Sequence, residues 1–182
     1  MTPTRDRDAS GDPTANLDPR VDGLRTQLRL NTRLFARCFD GVDDDLAWRR
    51  VAGEGRHEAN GMAFLGVHLA QSRHTLARIL DRPTEDPFPG LAQARGASGN
   101  LELPPVAQIL AAWARLGERL DRTLAELDPA VLDRRAPYDF PVQGDDPSLL
   151  GGLAFLLQHE AYHLGQMGML RRLLGLDAMR YA

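Results

Sequence analysis

Residues 159–163 read His-Glu-Ala-Tyr-His. On a helix, two histidines four apart stack on one face, so His159 and His163 can reach one metal ion. Glu160 between them completes the H-E-x-x-H pattern of zinc peptidases, in which the glutamate is the general base. The rest of that chemistry is missing. A zinc peptidase takes its third ligand from downstream, as a Glu on a later helix or the last His of H-E-x-x-H-x-x-G-x-x-H. The segment after His163, LGQMGMLRRLLGLDAMRYA, has neither His nor Glu, and Gln166 stands where that pattern needs Gly. A third histidine lies upstream instead: His68 follows Phe64 and Leu65 by one turn on the same apolar stripe. Three imidazoles from two helices fit a metal site with one open position, the arrangement of catalytic zinc. The competing reading is three core histidines, each satisfied by hydrogen bonds.

Apolar periodicity supplies the helices that would carry these residues. Val21, Leu24, Leu28, Phe35 and Cys38 repeat at helical spacing, with Asn31 interrupting the stripe. After a long connection with at most one helical turn, a second helix is predicted over Gly61–Leu80, with Asn60 as N-cap. Pro104 and Pro105 suit the first turn of a third helix, which ends at Asp128-Pro129. APYDFPVQ is the one stretch that reads as a strand. Asp146 and Pro147 then signal the N-cap and first turn of a fourth helix, stopped by Gly175. Its predicted stripe is Leu149, Leu153, Leu156, His159, His163, Met167, Leu170 and Leu174, which points both histidines into the core. Four amphipathic helices with almost no strand predict an all-α four-helix bundle over 21–176. A disordered tail (1–20) precedes it and a short C-terminal tail (177–182) follows. The three connections of about twenty residues exceed the ~2–8 usual between bundle helices, so simple up-down topology is not assured.

Composition narrows the function. The net charge of −3 argues against a nucleic-acid surface. All 22 basic residues are Arg, a bias that suggests a GC-rich bacterial genome. Cys38 is the sole cysteine, so no internal disulfide forms, which fits a reducing cytoplasm. No apolar run approaches a membrane span or a signal-peptide segment.

His68 in GMAFLGVHLAQSRHTLARIL, together with HEAYHLGQMGMLRRLLGL, resembles the DinB/YfiT-like metalloprotein superfamily over roughly residues 21–176. The resemblance implies a four-helix bundle with a divalent metal on His68, His159 and His163. Zinc is the expected ion, and three imidazoles suit nickel and iron as well. It implies no single reaction. Members are similar to transferases and isomerases using mycothiol or bacillithiol, to hydrolases, and to the iron-binding domain of ergothioneine-type sulfoxide synthases. Leu164 stands where many relatives carry Arg, so no role of that Arg carries over. A metal-dependent transferase joining a low-molecular-weight thiol to small electrophiles is the leading expectation. A hydrolase of small amides or esters, or a metal-binding stress protein without turnover, stays open. Glu160 is a candidate general base, and Gln166 and Asn31 are candidate pocket or ligand-orienting residues. The substrate is expected to be a small molecule, and family analogy adds a homodimer through outer helix faces. Gly165 and Gly168 are expected to admit a neighbouring helix, and Trp48 and Trp113 to lie in the core or pocket wall.

Overall fold

The computed structural model describes residues 18–52, 58–91, 102–137 and 146–180. Helix starts follow side-chain oxygens placed to accept backbone N–H groups that have no partner in the first turn. Asp18 accepts from Arg20 N at 2.8 Å and starts α1, Pro19–Cys38, slightly inside the segment read as tail. Asp43 starts the short α2, Asp44–Trp48, by accepting from Leu46 N. β1 (Val51–Ala52) and β2 (Glu58–Ala59) then pair antiparallel. α3 spans Met62–Ile79, and its N-cap is Gly61 rather than Asn60. The carbonyls of Ala47 and Arg49 lie 3.0 Å from where a Cβ on Gly61 would sit, so the close approach of α2 requires glycine there. α4 spans Val106–Ala125. The two prolines precede it rather than occupy its first turn, and Asp44 accepts from Val106 N at 2.7 Å. A 3-10 turn at Pro129–Asp133 follows, and α5 runs Leu149–Leu173. Its cap is Ser148, which accepts from Gly151 N; Asp146, the expected cap, instead accepts from Ser148 N. Gly175, at φ +84°, ends it as expected.

The chain is therefore mostly helical, as the periodicity predicts. The short strands before α3 were not foreseen in the sequence. Among the described residues the ladder is the hairpin before α3, and most of APYDFPVQ (138–143) lies outside them, as does His57. No helix of the described residues is long and apolar enough to cross a membrane.

The core has two apolar clusters. One gathers Leu34, Phe35 and Cys38 of α1, Leu65 and Leu69 of α3, Ile109 and Trp113 of α4, and Leu164 and Met167 of α5. The other gathers Leu24 and Leu28, Leu76, Leu120 and Leu124, and Leu153 and Leu157. α1 and α5 thus run one way and α3 and α4 the other. α1 packs on α4 and α5, and α3 packs on α4 and α5, so like-directed helices are neighbours in both pairs. This order explains the long connection from α3 to α4. It must return along the bundle, since α4 of 20 residues is about 30 Å long. The connection covers α3 on its way: Phe88 is buried, its carbonyl accepts from Gln71, and Thr84 bonds His74.

Candidate metal centre

α3 and α5 are antiparallel neighbours, and the three histidines meet where they cross. His159 Nε2 lies 3.1 Å from His68 Nε2 and 3.0 Å from His163 Nε2. Tetrahedral zinc with Zn–N bonds of 2.0–2.1 Å holds its nitrogens about 3.3 Å apart. The spacing therefore fits one ion. Among the described residues these three are the one His, Cys, Asp or Glu cluster that could hold a metal.

Proton accounting points the same way. His163 Nδ1 lies 2.6 Å from Gln166 Oε1; with that oxygen accepting, Nδ1 carries the proton and Nε2 presents its lone pair. A single proton on His159 Nε2 serves one neighbour well, not two. A cation facing three lone pairs satisfies all three. The rings are also kept neutral, the form that ligates a metal. Burial, then the neighbouring imidazoles, lowers His159 to about 4. Burial and His163 lower His68, and burial lowers His163 against the opposing effect of Gln166. His159 Nδ1 is buried with no partner among the described residues.

The site is at the edge of the core rather than in its centre. All three histidines are half-buried, and the face of α5 that enters the core carries Leu156, Leu157, Glu160, Leu164 and Met167. The expected stripe is rotated because LLGGLAFLL is apolar on every side, so its periodicity does not fix which side is buried. Phe155 lies 6.2 Å from the His159 ring, and Tyr162, 60% exposed, lies 5.1 Å from His163.

The rotation carries Glu160 into the core. Its carboxylate is fully buried and bound by Arg73, with Nε to Oε1 at 2.9 Å and Nη2 to Oε2 at 3.1 Å. Asn31 Nδ2 donates to Oε2 at 3.0 Å and to the Leu157 carbonyl. The expected general base thus has both oxygens occupied, about 60° around the helix from His163 and about 100° from His159. Asn31 is likewise buried, 1% exposed, and ties α1 to α5. Gln166, one turn on, holds the His163 ring by its Nδ1. Gly165 meets nothing within 4 Å and Gly168 only Met179 at 3.9 Å, so neither admits a neighbouring helix. Trp113 is buried, stacked on Phe35, whereas Trp48 is 44% exposed. The C-terminal segment read as a tail packs back: Met179 Sδ reaches Cys38 Sγ at 3.3 Å, and Asp177 O accepts from Arg171.

Sequence reasoning missed Arg73. It is fully buried, and its guanidinium lies 3.2 Å above the Trp113 ring. A Cβ on Gly117 would sit 2.7 Å from its Nη1, so that glycine makes room for the charge. The available signal was positional. Arg73 sits between Leu69 and Leu76 at core spacing, and Glu160 sits between Leu156 and Leu164 likewise.

The DinB superfamily model matches residues 27–167, and the chain belongs to that superfamily. The match runs from within α1 to within α5 and includes all three histidines. No curated protein matches the chain.

Proposed function

We propose that the protein is a divalent-metal-dependent transferase that joins a low-molecular-weight thiol, such as bacillithiol or mycothiol, to small electrophiles. Zinc is the proposed metal; nickel and iron suit imidazole ligands as well. The observation that carries the reading is the convergence of three neutral Nε2 atoms at 3.0–3.1 Å with no carboxylate or thiol among them. His68, His159 and His163 would hold the ion, and Gln166 would keep the His163 ring turned toward it. A bound divalent cation supplies Lewis acidity, which favours the deprotonated form of a thiol or water beside it.

The engagement of Glu160 favours a thiol over water as nucleophile. A free thiol ionises near 8.5 and needs little help at neutral pH, whereas water starts at 15.7 and profits from a protein base. Glu160, the carboxylate nearest in sequence to the ligands, is already bound by Arg73 and Asn31. The reaction is a displacement: the thiol proton passes to solvent, sulfur bonds the electrophilic carbon, and the leaving group departs with its electron pair. The half-buried site beside Phe155 and Tyr162 offers apolar surface to orient a small substrate.

Metal-loaded protein incubated with a panel of thiols and a haloaromatic or epoxide is expected to exceed the rate of thiol alone. No excess across the whole panel contradicts the reading. Hydrolysis of model amides or esters without any thiol would replace it with a metal-dependent hydrolase.

A further inference from the structure

Arg73 and Glu160 are both fully buried and ion-paired, yet neither belongs to the histidine cluster. A buried ion pair is weak evidence for stability. Desolvation costs several kcal/mol per ion, and well-packed apolar replacements are often neutral or stabilising. What such a pair can provide is registry between the elements that carry it.

The geometry here suits that role. α3 carries His68 and Arg73, and α5 carries His159, Glu160 and His163, so one pair of helices supplies both the ligands and the ion pair. The bidentate contact restrains both sliding and rotation of α5 against α3. Other contacts fix the guanidinium to the remaining helices: Nη1 donates to Trp113 O of α4 and Nη2 to Leu28 O of α1, each at 3.4 Å. Asn31 adds a bond from α1 to Glu160. The polar layer thus joins all four long helices between the two apolar clusters, at the level of the histidines. Apolar contacts alone would tolerate small slips of α5, whereas His68 and His159 sit on different helices and must meet within tenths of an ångström to share an ion.

We propose that Arg73 and Glu160 are positioning residues for the metal site: their ion pair sets the register of α3 against α5 and thereby the affinity for the ion, not the stability of the bundle. The inference rests on reading His68, His159 and His163 as metal ligands. The test is the double variant Arg73→Met/Glu160→Leu, which removes both charges and leaves neither partner unpaired. Zinc affinity is measured by competition with a chromophoric chelator, the Co2+ d–d spectrum reports the ligand geometry, and urea unfolding is followed in excess chelator.

The expected result is zinc binding weaker by about 10–100-fold, the usual effect of removing groups that orient ligands. The Co2+ spectrum should change, with a urea midpoint in chelator equal to or above that of the wild type. Wild-type affinity and an unchanged Co2+ spectrum in a folded double variant overturn the inference alone. A wild type that binds neither metal overturns the metal reading and this inference together. Should the double variant not fold, Glu160→Gln, which keeps the side-chain shape, is read the same way: weaker zinc binding supports the inference, and unchanged binding overturns it.

Discussion

Replacing Arg73 alone by Met is expected to cost far more than replacing the pair. Arg73 has no exposed surface and Glu160 has 1% of its side chain exposed, so the surviving carboxylate has no access to solvent. The variant loses two charge-assisted hydrogen bonds to Glu160, two longer bonds to carbonyls, and the contact over Trp113. Glu160 keeps one donor, Asn31 Nδ2. Removing one partner of a buried pair costs about 3–5 kcal/mol, mostly from the uncompensated charge left behind. That is a third or more of a typical domain stability of about 5–15 kcal/mol. The assay is urea unfolding of both proteins in chelator at pH 8. A deficit below about 1 kcal/mol refutes the reasoning.

The remaining expectations concern the histidines, the glycines and the thiol. All three histidines titrate lower in the fold than in the unfolded chain, so the unfolded chain binds more protons below about pH 6.5. Metal-free protein should lose stability as pH falls from there toward about 4; His159→Gln should lose less, and a flat profile in urea unfolding would contradict the site. Gly66→Ala should destabilise by about 1–3 kcal/mol, because its Cβ would sit 2.7 Å from Ile109 Cγ2 and 3.1 Å from Phe39 Cζ. Gly165→Ala, with nothing within 4 Å, should stabilise by about 0.5–1 kcal/mol; equal melting shifts for the two would undo that contrast. Burial pushes the Cys38 thiol up to about 12, so a disulfide reagent should label it only after unfolding, and labelling of native protein at pH 8 would disprove its burial.

The histidine site was legible because its signal is local. Four-residue spacing puts His159 and His163 on one face wherever that face turns, and His68 needed only a helix packed alongside. The layer behind the site was not legible for two physical reasons. A charged residue usually marks a solvated face, so Arg73 passed unnoticed and Glu160 read as chemistry, and their pairing spans two helices that no local pattern links. The rotation of α5 was hidden by an apolar first half whose periodicity selects no side. Topology was open as well: connection length permits parallel neighbours without requiring them, and packing against α4 and α5 decided it. Cap positions slipped by a residue or two at Asn60 and Asp146, where several residues of capping type stand together and the backbone path selects among them.

The central claim is that His68, His159 and His163 bind one divalent ion through their Nε2 atoms. X-ray absorption at the zinc edge of zinc-loaded protein tests it most directly. The account expects one zinc per chain with three imidazole nitrogens at about 2.0–2.1 Å and one light-atom ligand more. A shell of oxygens without imidazole scattering, a sulfur near 2.3 Å from a protein freed of added thiols, or zinc that washes out on dialysis would contradict it.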